Sequence, residues 1–189
     1  MEHVGFRQMK DGTAVEYHFL ERLEADYVAR LPDRILQALR HLESTLSGYR
    51  VSRLTHSLQS ATRAEDDGAD EEMVLAALIH DIGDELAPAN HSQLAAAVIR
   101  PYVRPEVTWV VAHHGAFQLY YYGHHVGLDR HAREHFRDHP WYDSCLHFCE
   151  RYDQAAFDPD YPTRSLAYFE PLVRRIFNRE PFDPAVTGQ

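Results

Sequence analysis

The sequence predicts an all-α protein built as one helical bundle. Apolar residues recur at helical spacing, alternating strand patterns are almost absent, and Pro and Gly punctuate the chain at intervals that suit helices. The chain has 189 residues, 44% hydrophobic and 25% charged. That is enough for one domain with a sizeable core and short for two of usual size. No repeat, low-complexity tract or Pro/Gly/Ser-rich linker divides it, so residues 1–189 read as a single domain.

The elements follow in order. A first helix runs from about Val15 to Leu31 and stops at Pro32, and a second runs from Asp33 to about Leu46 and stops near Gly48. This N-terminal pair, 15–46, precedes a core spanning about 49–157. The third helix covers about Val51 to Glu65, with Gly68 after it. The fourth starts at Asp70, a good N-cap followed by Glu71 and Glu72 in the first turn, and ends near Gly83. The fifth starts at Asn90 and ends before Pro101. The sixth starts at Pro105, a favoured first-turn residue, and ends at Gly115. Gln118 to Asp129 is aromatic and Gly-interrupted and reads as irregular. Helices are expected around Arg130–Arg137, Trp141–Ala156 and Pro171–Asn178, the last within a C-terminal region, 171–189, whose tail after Glu180 reads as loose.

Composition narrows the function classes. A net charge of −10 argues against sequence-independent nucleic-acid binding. The longest apolar stretch, Met73 to Ile79, is far too short to cross a bilayer. No charged segment followed by an apolar run opens the chain, so no signal peptide is expected. Cys145 and Cys149, four apart in a helix-like stretch, suit reduced thiols in a cytoplasmic protein better than a disulfide framework. The unusual count is histidine: 14, against 19 Lys plus Arg. Histidine is a common metal ligand.

The fourth helix is apolar on every side from Met73 to Ile79, as a helix buried all round must be, and it ends in His80-Asp81. A carboxylate at the end of a buried helix needs a partner, a hydrogen bond or a metal. The pair reads either as a capped helix end or as one nitrogen and two oxygens aimed at ions, with Asp81 able to bridge two of them. On the third helix Val51, Leu54, Leu58 and Ala61 form one apolar face, and His56 lies opposite with Ser52, Gln59 and Ser60. That small, mostly uncharged face suits a polar cavity better than solvent. His91 falls in the first turn of the fifth helix. His113 and His114 fall in the last turn of the sixth, where the helix dipole accounts for one His more comfortably than for two. Asp153 lies on or beside the apolar stripe of its helix, and a metal or an Arg is its natural partner. Together His56, His80, Asp81, His91, His113 and Asp153 offer four imidazoles and two carboxylates, a mixed N/O set suited to iron, manganese or zinc. His113 is preferred to His114 by spacing, with His114 as a hydrogen-bonding neighbour.

His56, then His80-Asp81, then Asp153 on successive helices resembles the HD-domain superfamily of metal-dependent enzymes, over roughly Tyr49 to Phe157. Added His91 and His113 resemble its two-metal members. His56-Ser-Leu-Gln59-Ser-Ala61 and Arg151-Tyr-Asp153-Gln-Ala-Ala are similar to its mixed-valence di-iron oxygenases, among them myo-inositol oxygenase and the oxygenases that cleave hydroxylated aminophosphonates. The resemblance implies two iron ions, one on His56, His80, Asp81 and Asp153, the other on Asp81, His91 and His113. It implies an enzyme that uses O2 to cleave oxidatively a small polar alcohol, with or without an amine, or a hydroxyphosphonate. The other branch of the superfamily implies a phosphohydrolase working with manganese or zinc, and a non-catalytic sensor is a third reading.

The phosphonate-cleaving members carry Tyr-x-Gly-Glu ahead of the first His. Here the stretch is Leu46-Ser-Gly48-Tyr49-Arg50. Asp84 and Phe117 stand where those enzymes place basic groups, and Tyr120, Tyr121 and Tyr122 follow. Acid and aromatics in place of base predict a cationic or quaternary ammonium end on the substrate. The tyrosines read equally as packing on a lid loop. Asp81, Asp84 and Tyr49 are thus expected to take part in the chemistry, with Tyr49 filling an open iron position or stapling the helix start. Gln59, Asp84, His114, Phe117 and Tyr120 are expected beside the substrate.

Overall fold

The computed structural model describes residues 1–188; Gln189, the last residue of the expected tail, lies outside the described residues. The helices are α1 (Ala14–Ala29), α2 (Leu31–His41), α3 (Arg53–Asp66), α4 (Glu71–Ile79), α5 (His91–Ile99), α6 (Pro105–Tyr122), α7 (Tyr142–Phe148), α8 (Leu166–Phe177) and α9 (Pro184–Thr187). Short 3-10 turns and one π-helical turn, Cys149–Asp153, complete the secondary structure. No strand is present among the described residues. The all-α expectation is met, and no helix is long and apolar enough to cross a membrane.

α4 is the axis of the bundle because its sequence allows nothing else. Every residue from Met73 to Ile79 is buried, so the helix has no solvent face. Asp70 starts it by accepting hydrogen bonds from the Glu72 and Met73 amides at 3.0 and 3.1 Å. α3 packs along α4, α5 along α6, and α6 against α7. α2 lays Ile35, Leu36 and Leu39 toward α8, which answers with Phe169, Leu172, Val173 and Ile176 at the same helical spacing. By contrast α1 has no buried residue. A capping box, with Thr13 bonded to Glu16 in both directions, gives it local support.

Several boundaries differ from expectation. α6 does not end at Gly115 but runs on to Tyr122. The glycine is there for space: a Cβ on Gly115 would stand 3.0 Å from Ser92 Oγ of α5. Pro32 does not stop the first helix. It sits in the first turn of α2, where a missing N–H is harmless. α8 begins five residues before Pro171 because Ser165 caps it, its hydroxyl accepting from the Tyr168 amide. The tail is tied down. Arg179 donates to the Tyr102 carbonyl at 2.8 Å, the Phe182 amide donates to the Pro101 carbonyl at 2.7 Å, and Thr187 is buried. The expected helix over Trp141–Ala156 is α7 followed by the π turn, in which the Gln154 amide reaches the Cys149 carbonyl at 3.0 Å.

Candidate metal centre

Five elements deliver six side chains to one place. His56 stands in the first turn of α3, whose N-cap, Ser52, accepts from the Thr55 amide at 3.0 Å. His80 is the C-cap of α4 and Asp81 follows it. His91 opens α5. It can approach because residue 83 is glycine: a Cβ there would lie 2.7 Å from the His91 carbonyl oxygen and 2.9 Å from its Cα. His114 comes from the middle of α6. Asp153 closes the π turn, whose extra residue rotates it relative to the register of α7.

The side chains meet through their ring Nε2 atoms and carboxylate oxygens. Asp81 Oδ2 is 3.3 Å from His56 Nε2 and 3.2 Å from His80 Nε2. Its other oxygen, Oδ1, is 3.5 Å from His91 Nε2 and 3.6 Å from His114 Nε2. Asp153 Oδ1 is 3.3 Å from His56 Nε2 and 3.6 Å from His80 Nε2. The two histidine pairs face each other Nε2 to Nε2, His56 with His80 at 3.1 Å and His91 with His114 at 3.3 Å. His56, His80 and Asp81 form one group able to hold an ion, Asp81, His91 and His114 form a second, and His80, His114 and Asp153 form a third that overlaps both.

Tautomers follow from the outer contacts. A carbonyl only accepts, so a ring nitrogen facing one carries its proton. His56 Nδ1 faces the Ala156 carbonyl at 3.1 Å, His80 Nδ1 that of Ala77 at 2.9 Å, and His114 Nδ1 that of Val111 at 2.7 Å. His91 Nδ1 faces Asp84 Oδ1 at 3.3 Å. In the neutral rings every Nε2 is then an acceptor, and acceptors converge on acceptors. Asp153 Oδ2 is buried without a hydrogen-bond partner. Such a set is stable only around positive charge, and its donors fit a first-row divalent metal.

The electrostatics agree. Burial opposes charge on His80, yet Asp81 and Asp153 override it and raise the imidazole well above its ordinary range. Burial also opposes charge on Asp153, but His80 and His56 hold its carboxyl well below the ordinary range. Asp81 is lowered in the same way, chiefly by His80. The field at the centre favours a cation.

A cavity of about 630 Å³ opens onto the centre and reaches His56, Asp81, His91, His114 and Asp153. Its walls include Leu46, Tyr49, Tyr121, Tyr122 and Phe157. Phe157 stacks on His56 at 4.3 Å between ring centroids and on Tyr49 at 5.0 Å, so a ladder of rings runs from the mouth to the centre. Arg53 closes one wall. Its guanidinium bonds Asp81 and donates from Nε to Asp84 at 2.8 Å.

The structure brings five of the six expected ligands together and replaces the sixth. His113 points away: its Nδ1 donates to the Trp109 carbonyl at 2.8 Å, and its ring stacks on Trp109 at 4.3 Å. Successive helix residues are rotated by about 100°, so only one of the pair can face the centre, and the face turned to α4 and α5 carries His114. Asp84 lines the cavity, but Arg53 and His91 engage it, so it orients a ligand and is not a free receptor for a cationic substrate. Gln59 is buried beneath the wall. Its side chain brackets the backbone of Asp158, fixing the loop that carries Phe157. Phe117 is fully buried between Phe136 and Tyr142, and Tyr120 lies under Arg133, so neither lines the cavity. Tyr49 stands at the mouth, stacked and half exposed. Arg53 was legible in principle, three residues from His56 and hence on its face. Nothing local marks Phe157.

Fold and centre together define an all-helical protein with a buried His/Asp site able to hold metal ions. Neither the protein-family models nor the curated proteins contain a match to this chain.

Proposed function

We propose that this chain is a two-metal enzyme of the HD type, most similar to the di-iron oxygenases of that superfamily, acting with O2 on an alcohol. The observation that carries the reading is the division of Asp81, one oxygen toward His56 and His80 and the other toward His91 and His114. One ion would be held by His56, His80, Asp81 and Asp153, and the second by Asp81, His91 and His114. When bound, an iron pair supplies one-electron and O2 chemistry that protein side chains lack.

The chain's own residues set the conditions. Backbone carbonyls of Ala156, Ala77 and Val111 fix three rings, and Asp84 fixes the fourth. Phe157 covers His56 and keeps water from that side. His91 is the open flank, its side chain 26% exposed while the other ligands are nearly sealed, so substrate approaches from there. A hydroxyl entering from the cavity passes His91, the most exposed of the six side chains.

The same donors suit manganese or zinc, and with them a phosphohydrolase would be the reading. The cavity speaks against it. Among its lining residues Arg53 is the one guanidinium, and Asp81 and Asp84 already hold it. The test is protein prepared without oxygen and reconstituted with iron. Close to two irons per chain and O2 uptake with an alcohol support the oxygenase. Phosphoester hydrolysis with manganese and no O2 uptake with any alcohol overturns it.

A further inference from the structure

We infer that the cavity takes a neutral alcohol with an extended apolar body, rather than a short charged one. The inference relies on the reading above for the hydroxyl end alone; the walls carry the rest. At about 630 Å³ the cavity is in the size range of sites that take whole organic ligands, about 300–1,000 Å³. A short amino alcohol or hydroxyphosphonate would leave most of it to solvent.

Charge bookkeeping in the walls points the same way. Arg53 and Asp84 satisfy each other, and Asp81 takes the rest of the guanidinium. His91 Nδ1 lies 3.3 Å from Asp84 Oδ1. In the outer walls, away from the carboxylates that face the centre, an ammonium or phosphonate leaving water would find Asp84 already held by Arg53 and would lose its hydration uncompensated. The surfaces that remain are mostly apolar or aromatic, among them Leu46, Phe157 and the rings of Tyr49, Tyr121 and Tyr122, with Thr45 and Gln154 as neutral polar neighbours. Each apolar surface gains from being covered. Gln118, one turn beyond His114 on α6, adds a neutral amide to the wall. Specificity of this kind is set by length and apolarity, with the hydroxyl fixed at the metals.

The experiment is equilibrium binding of vicinal diols, from ethylene glycol to the ten-carbon member, to the zinc-loaded protein, which is redox-inert, and to the iron-loaded protein under nitrogen. Aryl-substituted diols form a second arm, and 2-aminoethanol, choline and hydroxymethylphosphonate form the charged arm. Affinity is expected to rise up to about fourfold per methylene over the first several carbons, with the charged probes at least about tenfold weaker than neutral diols of equal size. Leu46→Glu, at an exposed position on the wall, should weaken the long diols by about tenfold and leave metal content and ethylene glycol binding unchanged. A flat series, or tighter binding of a charged probe, overturns the inference. Failure of the two readings separates cleanly. A length trend on zinc-loaded protein without O2 uptake on iron sinks the oxygenase and leaves the cavity assignment standing. O2 uptake with short charged alcohols and no trend does the reverse.

Discussion

His56 and His80 stand Nε2 to Nε2 at 3.1 Å, each with its Nδ1 proton already given to a backbone carbonyl. Without an ion, the two Nε2 atoms need a proton between them to sit this close. Removing a bound metal should therefore destabilise the fold, because an ion that binds the native state alone stabilises it by mass action. Chelator-treated protein should melt several degrees lower and recover on adding iron or zinc, as calorimetry would record. An unchanged midpoint would contradict a metal at this centre.

Asp81 serves both groups, while His91 serves one. Asp81→Ala is expected to abolish binding at both positions. His91→Ala should reduce metal from about two ions per chain to about one. Elemental analysis of the purified variants decides it, and full metal content in His91→Ala would refute the two-ion assignment.

His113 and His114 make a paired test of helix rotation. His114→Ala should lose the second ion. His113→Ala should keep both and lose about 1 kcal/mol from the stack with Trp109 and the edge contact with Phe136. Metal content measured on the two variants separates them: His114→Ala should fall to about one ion per chain while His113→Ala stays near two.

Gly83 is the clearance that admits α5. Gly83→Ala places a methyl against the backbone of His91 and should cost about 1–3 kcal/mol. It should weaken the second ion while sparing the first, which spectroscopic titration with cobalt can follow.

Asp67, at the end of α3, accepts from His147 Nε2 at 2.8 Å and from the Tyr152 hydroxyl at 3.0 Å. These bonds, His147 first, hold its carboxyl below the ordinary range. A carboxyl depressed in the fold stabilises it above the unfolded value and ceases to do so as pH falls through the folded one. The stability difference between the parent protein and Asp67→Asn should thus be full at neutral pH, shrink once pH drops below about 4, and vanish when Asp67 is protonated. A difference that persists in acid would mean that the charge is irrelevant.

The helical class and the site's parts were readable because both rest on local pattern. The unbroken apolar run of α4 could only be a buried helix, and His80-Asp81 at its end needed a partner. What escaped depended on rotation and distance. The choice between His113 and His114 turns on the angle at which α6 meets α4 and α5, and spacing along one chain does not encode it. Gly115 reads as a stop until its neighbour Ser92 is known. Gln59 and Asp84 were assigned to the substrate side by motif, yet one holds a loop some hundred positions away and the other steadies His91. Phe157 became visible only when the chain closed over His56.

That closure also fixes when the centre can exist. His56 meets the Ala156 carbonyl across 100 positions of sequence, so a half-synthesised chain emerging from the ribosome presents a cradle with one side missing. An ion between His56, His80 and Asp81 would gain Asp153 only once the π turn has docked. The full set of groups is thus among the last things that the folding chain assembles.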